Sequence, residues 1–234
     1  MTVGTALLVT LVASACGGEA GPSPAPHVST AAPTAQAAAG QSQLAGLPAR
    51  MDKDGVTIVV GEPAAPHTMR ILEDPRSPHC AVFATAAGAE VARRAAAGEL
   101  KVEYVIASFL DSNLGGKGSL RAANALRASV EAGNFAAYHA ALFASQPKET
   151  VDGFTTDFLL DVAGKVRGLR SSAFDQAVRS LAYRSWVTKA QKAFRGSGVQ
   201  GAPTVLVDGE PLAPASARDD AKEFVRALER VLPG

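Results

Sequence analysis

The sequence predicts an α/β domain interrupted by a long helical block, and three observations point to it. Short runs rich in β-branched and apolar residues stand at 56–60, 68–72, 100–109 and 204–207. Helical periodicity follows the second run and closes the chain, where Ala221, Phe224, Val225, Leu228 and Leu232 share one face. Between Ser119 and about Phe194 the pattern is almost wholly helical. The resulting order is β, β, α, β, helical block, β, β, α.

Composition narrows the function classes. The 234 residues suffice for one medium domain with additional segments and a sizeable core. Net charge is +1, and Lys and Arg read as spread along the chain rather than clustered. Neither nucleic acid nor an anionic surface is therefore expected as a partner. Two cysteines, Cys16 and Cys80, can build neither a disulfide scaffold nor a cysteine-based zinc site, and no metal or cofactor is expected.

Taken in order, residues 6–15 are apolar or small, too short a run to span a bilayer, and suit the apolar region of an export signal. The run ends in Val12-Ala13-Ser14-Ala15-Cys16-Gly17-Gly18. Small residues before a cysteine resemble a bacterial lipobox, which implies cleavage before Cys16 and a lipid on its sulfur. An ordinary secretory signal with an incidental Cys16 is the other reading. No Lys or Arg precedes Leu7, although export signals ordinarily open with positive charge, so a start upstream of Met1 is expected. Residues 17–48 are mostly Ala, Pro, Gly, Ser, Thr and Gln without apolar period, the composition of a flexible tether. The chain is thus divided into a signal peptide (1–15), a lipid-anchored linker (16–50) and a folded domain (51–234) with its helical insertion at about 112–195.

Order is expected from about Asp54. Residues 56–60 form a strand closed by Gly61, residues 62–66 turn on their prolines, and 68–72 form a second strand. Ser77 is a preferred N-cap and Pro78 suits the first helical position, where a missing N–H costs nothing. That helix should run to about Ala97, with Gly98 to stop it. Residues 100–109 read as a mostly buried strand and 111–118 as a turn-rich connection. Helices are expected at about 120–132, then around Tyr138, Leu159, Val178 and Val187. Asp208-Gly209 is a hairpin turn signal between 204–207 and the returning Glu210-Pro211-Leu212.

The chemistry-bearing stretch is Ser77-Pro78-His79-Cys80, one residue away from a Cys-Pro-His-Cys dithiol. A cysteine at a helix N-terminus is activated because the terminal N–H groups and the helix dipole favour the thiolate. A second cysteine three residues on can close a disulfide with it. This motif region, the helical block, Asp54-Gly55-Val56, Gly61-Glu62-Pro63-Ala64-Ala65-Pro66, the run RAANAL…AGNFAAYHAALFASQ at 121–146, Gly153-Phe154-Thr155 and Gly198-Val199-Gln200-Gly201-Ala202-Pro203-Thr204 together resemble the DsbA-like thiol–disulfide oxidoreductases. Among these, they resemble the extracytoplasmic lipoprotein members of high-GC Gram-positive bacteria. The likeness covers most of 54–232 and implies a thioredoxin-like fold with a helical insertion.

The resemblance assigns roles. It places a nucleophilic cysteine at position 77, a resolving cysteine at Cys80, and Pro78 and His79 between them. It makes Pro203 a cis-proline facing the site, with Ala202 against the sulfur position and backbone groups nearby that an extended peptide can pair with. The departure is plain: residue 77 is Ser77. A hydroxyl is not a redox centre, and Cys16 cannot replace it if lipid-modified, so a two-electron dithiol cycle has no second sulfur. Asp74-Pro75 departs as well, since an aromatic residue often stands at position 75.

Plainer readings accompany each residue. Ser77 and Pro78 serve equally as a helix start, Cys80 as a small buried hydrophobe, and His79 as an exposed helix-start residue. His139 reads as a packing or solvated helix residue, Glu73 and Asp74 as solvated loop-end acids, and Pro203 as the opening of a strand. A hydrolase built on Ser77 and His79 lacks a nucleophile elbow and a matching acid. The expectation is an extracytoplasmic protein of this family, lipid-anchored at the outer face of the cytoplasmic membrane or else secreted. It would bind extended segments of exported proteins in a groove between Ser77 and Pro203, without dithiol redox activity. A monothiol oxidoreductase or isomerase using Cys80 and an accessory subunit of an envelope complex stay open beside it.

Overall fold

The structure is a computed structural model and describes Met1, residues 46–212 and residues 219–232. The expected export signal beyond Met1, Cys16 and the linker up to residue 45 lie outside the described residues, as do 213–218 and 233–234.

Six strands form one mixed sheet in the order β1-β2-β4-β3-β5-β6. They are β1 (Ala49–Met51), β2 (Ile58–Val60), β3 (His67–Glu73), β4 (Leu100–Ile106), β5 (Thr204–Val207) and β6 (Glu210–Pro211). β3 and β4 run parallel, in register from His67↔Leu100 to Glu73↔Ile106, and α1 (Pro78–Ala96) is the crossover between them. The other neighbouring pairs are antiparallel. Because side chains alternate along a strand, Met69, Ile71, Val102, Tyr104 and Ile106 enter the main core while Leu72 and Val105 point the other way, into a smaller core with Ala107 and Phe194. α1 lays Cys80, Phe83, Ala87, Val91 and Ala95 on its buried face at helical spacing. The ring of Phe83 meets that of Phe224, on α8 (Ala221–Val231), edge-on at 5.6 Å. Gly98, at φ +72°, takes the left-handed position that ends α1.

Between β4 and β5 stand α2 (Leu110–Leu114), α3 (Gly118–Glu131), α4 (Phe135–Ala144), α5 (Thr156–Gly164), α6 (Ser172–Ser180) and α7 (Arg184–Gly196). They share the sheet's core: Phe135, Tyr138, Leu142, Phe154, Leu159 and Trp186 belong to the same cluster as Tyr104 and Ile106.

Three local expectations differ from the structure. Residues 56 and 57 are not in a strand, because the Asp54 carboxylate accepts the Val56 and Thr57 N–H groups and the Thr57 hydroxyl, which holds the chain in a turn until Ile58. β1 takes in Ala49 and Arg50, placed in the linker from sequence; its residues gain strand structure from pairing with β2 (Ala49↔Val60), not from propensity. Residues 110–114, which lie just past the expected strand and in the expected turn-rich connection at 111–118, form the one-turn helix α2. Its start is tied down by the Asp74 carboxylate, which accepts the Leu110 N–H at 3.0 Å.

Candidate functional site

The site is assembled where the start of α1 meets the loop before β5. Ser77 adopts an extended conformation (φ −70°, ψ 120°) and its Oγ accepts the Cys80 N–H at 3.4 Å, which satisfies one of the free donors of the first turn. The same hydroxyl donates to the Ala202 carbonyl at 3.2 Å. The Ala202–Pro203 peptide bond is cis. Ser77 is 5% exposed, so the hydroxyl is enclosed between the helix start and the cis-proline loop.

Cys80 is a free thiol with no exposed surface. Burial pushes its pKa far up, and the nearby Glu73 carboxylate adds to the effect; hydrogen bonds with the Asp74 backbone and the Ser77 side chain pull weakly the other way. The sulfur is neither accessible nor ionised at neutral pH. Pro78 and His79 are both exposed, and His79 Nδ1 lies 3.9 Å from Asp219 Oδ1.

Each residue from Glu73 to Ser77 is tied to the helical insertion. The Glu73 carboxylate meets His139 Nε2 at 2.8 Å. Asp74 accepts the Ser119 hydroxyl (2.6 Å) and the Leu110 N–H. Gln146 Nε2 donates to both the Pro75 carbonyl (2.8 Å) and the Ser77 carbonyl (2.9 Å). Arg76, fully enclosed, pairs with Asp111 (3.1 Å) and donates to the carbonyls of Gly115 (2.7 Å) and Glu149 (2.8 Å). Two glycines make room for this packing. A Cβ at Gly116 would stand 2.5 Å from the Asp152 carboxyl carbon, and one at Gly118 would stand 3.1 Å from Arg76 Cδ.

Glu73 and Asp74 are thereby corrected: they are 1% and 0% exposed rather than solvated, and each is retained inside because it has hydrogen-bonding partners. Burial pushes the Asp74 carboxyl up to about 6, against its hydrogen bonds from Ser119, Leu110 and Arg76. His139 is buried among Tyr104, Phe135 and Phe143 with Glu73 as partner.

An open groove of about 380 Å³ runs beside the cis-proline loop, lined by His79, Gln200, Gly201, Ala202, Pro203, Thr204 and Asp219. Its wall on the helix side is His79, not Ser77, because Ser77 and Ala202 are in contact; the expected groove between Ser77 and Pro203 is displaced outward. Among the predicted residues, the structure therefore brings together Ser77, Cys80, Ala202 and Pro203, and sets His79 across the groove from the loop. Arg76, Gln146, Ser119 and Asp219 were not singled out from sequence. The Gly115-Gly116-Lys117-Gly118 run was the available signal for Arg76: it read as a turn, while its glycines serve a close approach.

Sheet order, crossover helix, helical insertion and cis-proline loop together define a thioredoxin-like fold of the DsbA type. The thioredoxin family profile matches residues 53–229, and the chain belongs to that family. Solved structures share the fold. BdbD from Bacillus subtilis (oxidised) superposes with a TM-score of 0.63 at 24% identity, over 81% of this chain and 98% of that one. MdbA, a thiol–disulfide oxidoreductase from Corynebacterium diphtheriae, gives 0.61 at 22% identity, over 72% and 88%. The disulfide bond oxidoreductase DsbG from Mycobacterium tuberculosis, reduced form, gives 0.61 at 21% identity, over 83% and 93%. No match was found among curated proteins.

Proposed function

We propose that this thioredoxin-family protein works outside the cytoplasm, held at the membrane by lipid on Cys16, and binds extended segments of exported proteins without dithiol redox turnover. The observation that carries the reading is the pairing of the Ser77 hydroxyl with the Ala202 carbonyl at 3.2 Å, in the place where the resemblance puts a nucleophilic sulfur. Disulfide exchange needs a thiolate that can reach the disulfide and a second thiol to release the mixed intermediate. Ser77 supplies neither, and Cys80 is enclosed and protonated. The same enclosure argues against a monothiol enzyme using Cys80. What is left for a ligand is the groove lined by the partly buried loop 200–204, leading into β5, with a polar rim at His79 and Asp219. Loop backbone of this kind supports recognition of an extended chain, with side-chain specificity set by the rim. Export and anchoring rest on the signal-like residues 6–15 and the Cys16 motif. Solved relatives named as thiol–disulfide oxidoreductases supply the family background from which Ser77 departs.

The test is calorimetric titration of a reduced, carboxymethylated exported protein, which is extended and thiol-free. Saturable binding that is weakened by Ala202→Arg, which fills the groove, is expected. No saturable binding overturns the reading. Separately, acyl label incorporated in cells should be lost in Cys16→Ala; label retained in that variant contradicts the anchor.

A further inference from the structure

The near-neutral total charge conceals a strong local asymmetry. Residues 176–207 contain no Asp or Glu, yet carry Arg179, Arg184, Lys189, Lys192 and Arg195. Folding gathers this excess. α7 turns Trp186, Val187, Ala190 and Phe194 inward. At 3.6 residues per turn these four centre on one side of the helix, and Arg184, Lys189, Lys192 and Arg195 fan across the opposite side, all exposed. From Arg184 to Arg195 the strip is about 16 Å long.

Many arginines elsewhere are paired: Arg70, Arg76, Arg93, Arg94 and Arg121 meet carboxylates, and Arg179 lies 3.8 Å from Asp157. Among the described residues, none of the four α7 cations has a carboxylate within ion-pair distance. The expectation that Lys and Arg are spread out is thus corrected; spacing that looks even along the chain falls on one face once the helical period is applied.

We propose that the outer face of α7 docks on an anionic lipid bilayer surface. The other exposed side chains there are Ser185, Thr188 and Ala193, small residues that offer no apolar centre of the kind a protein–protein interface uses. A strip of long, unpaired cations suits a surface of many weakly held negative charges, where each Lys or Arg multiplies partitioning roughly fivefold. The choice of lipid over other polyanions rests on the membrane placement proposed above, and the groove plays no part in it. Docking would also set the orientation of the site, because Phe194 on the inner face of α7 packs in the same small core as Ala202.

The test uses the full chain with sedimented vesicles of phosphatidylcholine alone or mixed with phosphatidylglycerol. Any apolar contribution from residues 6–15 is common to both lipids and cancels. Binding at least about tenfold tighter to the anionic vesicles is expected, weakening with salt. It should be lost in a Lys189→Gln, Lys192→Gln, Arg195→Gln triple variant and kept in a Lys148→Gln, Lys222→Gln, Arg226→Gln control of equal charge. Equal binding to the two lipids overturns the proposal, as does binding that the α7 variant leaves unchanged or that the control loses equally. Tighter α7-dependent binding to duplex DNA than to vesicles at the same salt also overturns it. The acyl-label experiment reports on the anchor independently, so failure of the anchor and failure of the docking face are distinguishable.

Discussion

At position 77 one atom separates a helix cap from a redox centre. Ser77 accepts the Cys80 N–H and bridges to Ala202, so the structural duty is met while the sulfur chemistry is absent. Cys80 should react with a thiol reagent at least about a hundredfold more slowly in the native protein than in urea, because the reaction needs an exposed thiolate; equal rates would contradict the burial. Asp74 gives a pH signature. Its folded-state pKa, about 6, lies above the ordinary 3.8, so the native state binds the proton more tightly between these values. Its contribution is fully present below about pH 4 and lost as pH rises through 6, a fall of about 3 kcal/mol. The difference in urea stability between wild type and Asp74→Asn should carry this pH dependence, falling between acidic and neutral pH; a difference that does not change with pH would contradict it. Neither buried acid was legible in sequence. Glu73-Asp74 at a strand end looks solvated, and the groups that retain them, Leu110, Ser119 and His139, are distant in the chain.

Among the elements, the insertion does more than cover the sheet. It grips residues 73–77 from α2, α3, α4 and the loop after α4, which fixes the loop that presents position 77. Gln146→Ala removes the donor to two carbonyls and should lower stability by about 1–3 kcal/mol in urea unfolding. Ser77→Ala, a lost cap, should cost about 1 kcal/mol. α1 was legible from Ser77-Pro78 and the spacing of Cys80, Phe83, Ala87 and Val91. So was the β5–β6 hairpin: Asp208 and Gly209 both take positive φ, 50° and 89°. β1 and α2 were not, since neither has a propensity or period of its own; one exists by pairing with β2, the other by a bond to a distant carboxylate.

The whole molecule combines a thioredoxin-like scaffold, a groove outside Ser77 and a cationic outer face on α7. The order of elements was readable because each strand and helix carries its own period. The charge face was not, because it exists only after the helix is wound. The central claim is that the scaffold keeps the geometry for redox work and lacks only the sulfur at position 77. It is tested most directly by insulin reduction in the presence of dithiothreitol, comparing wild type with Ser77→Cys. The wild type should match the uncatalysed rate and Ser77→Cys should exceed it by at least about tenfold, with a new thiolate at the helix N-terminus. Turnover by the wild type that disappears in Cys80→Ala, or a folded Ser77→Cys variant with no activity, would contradict the claim.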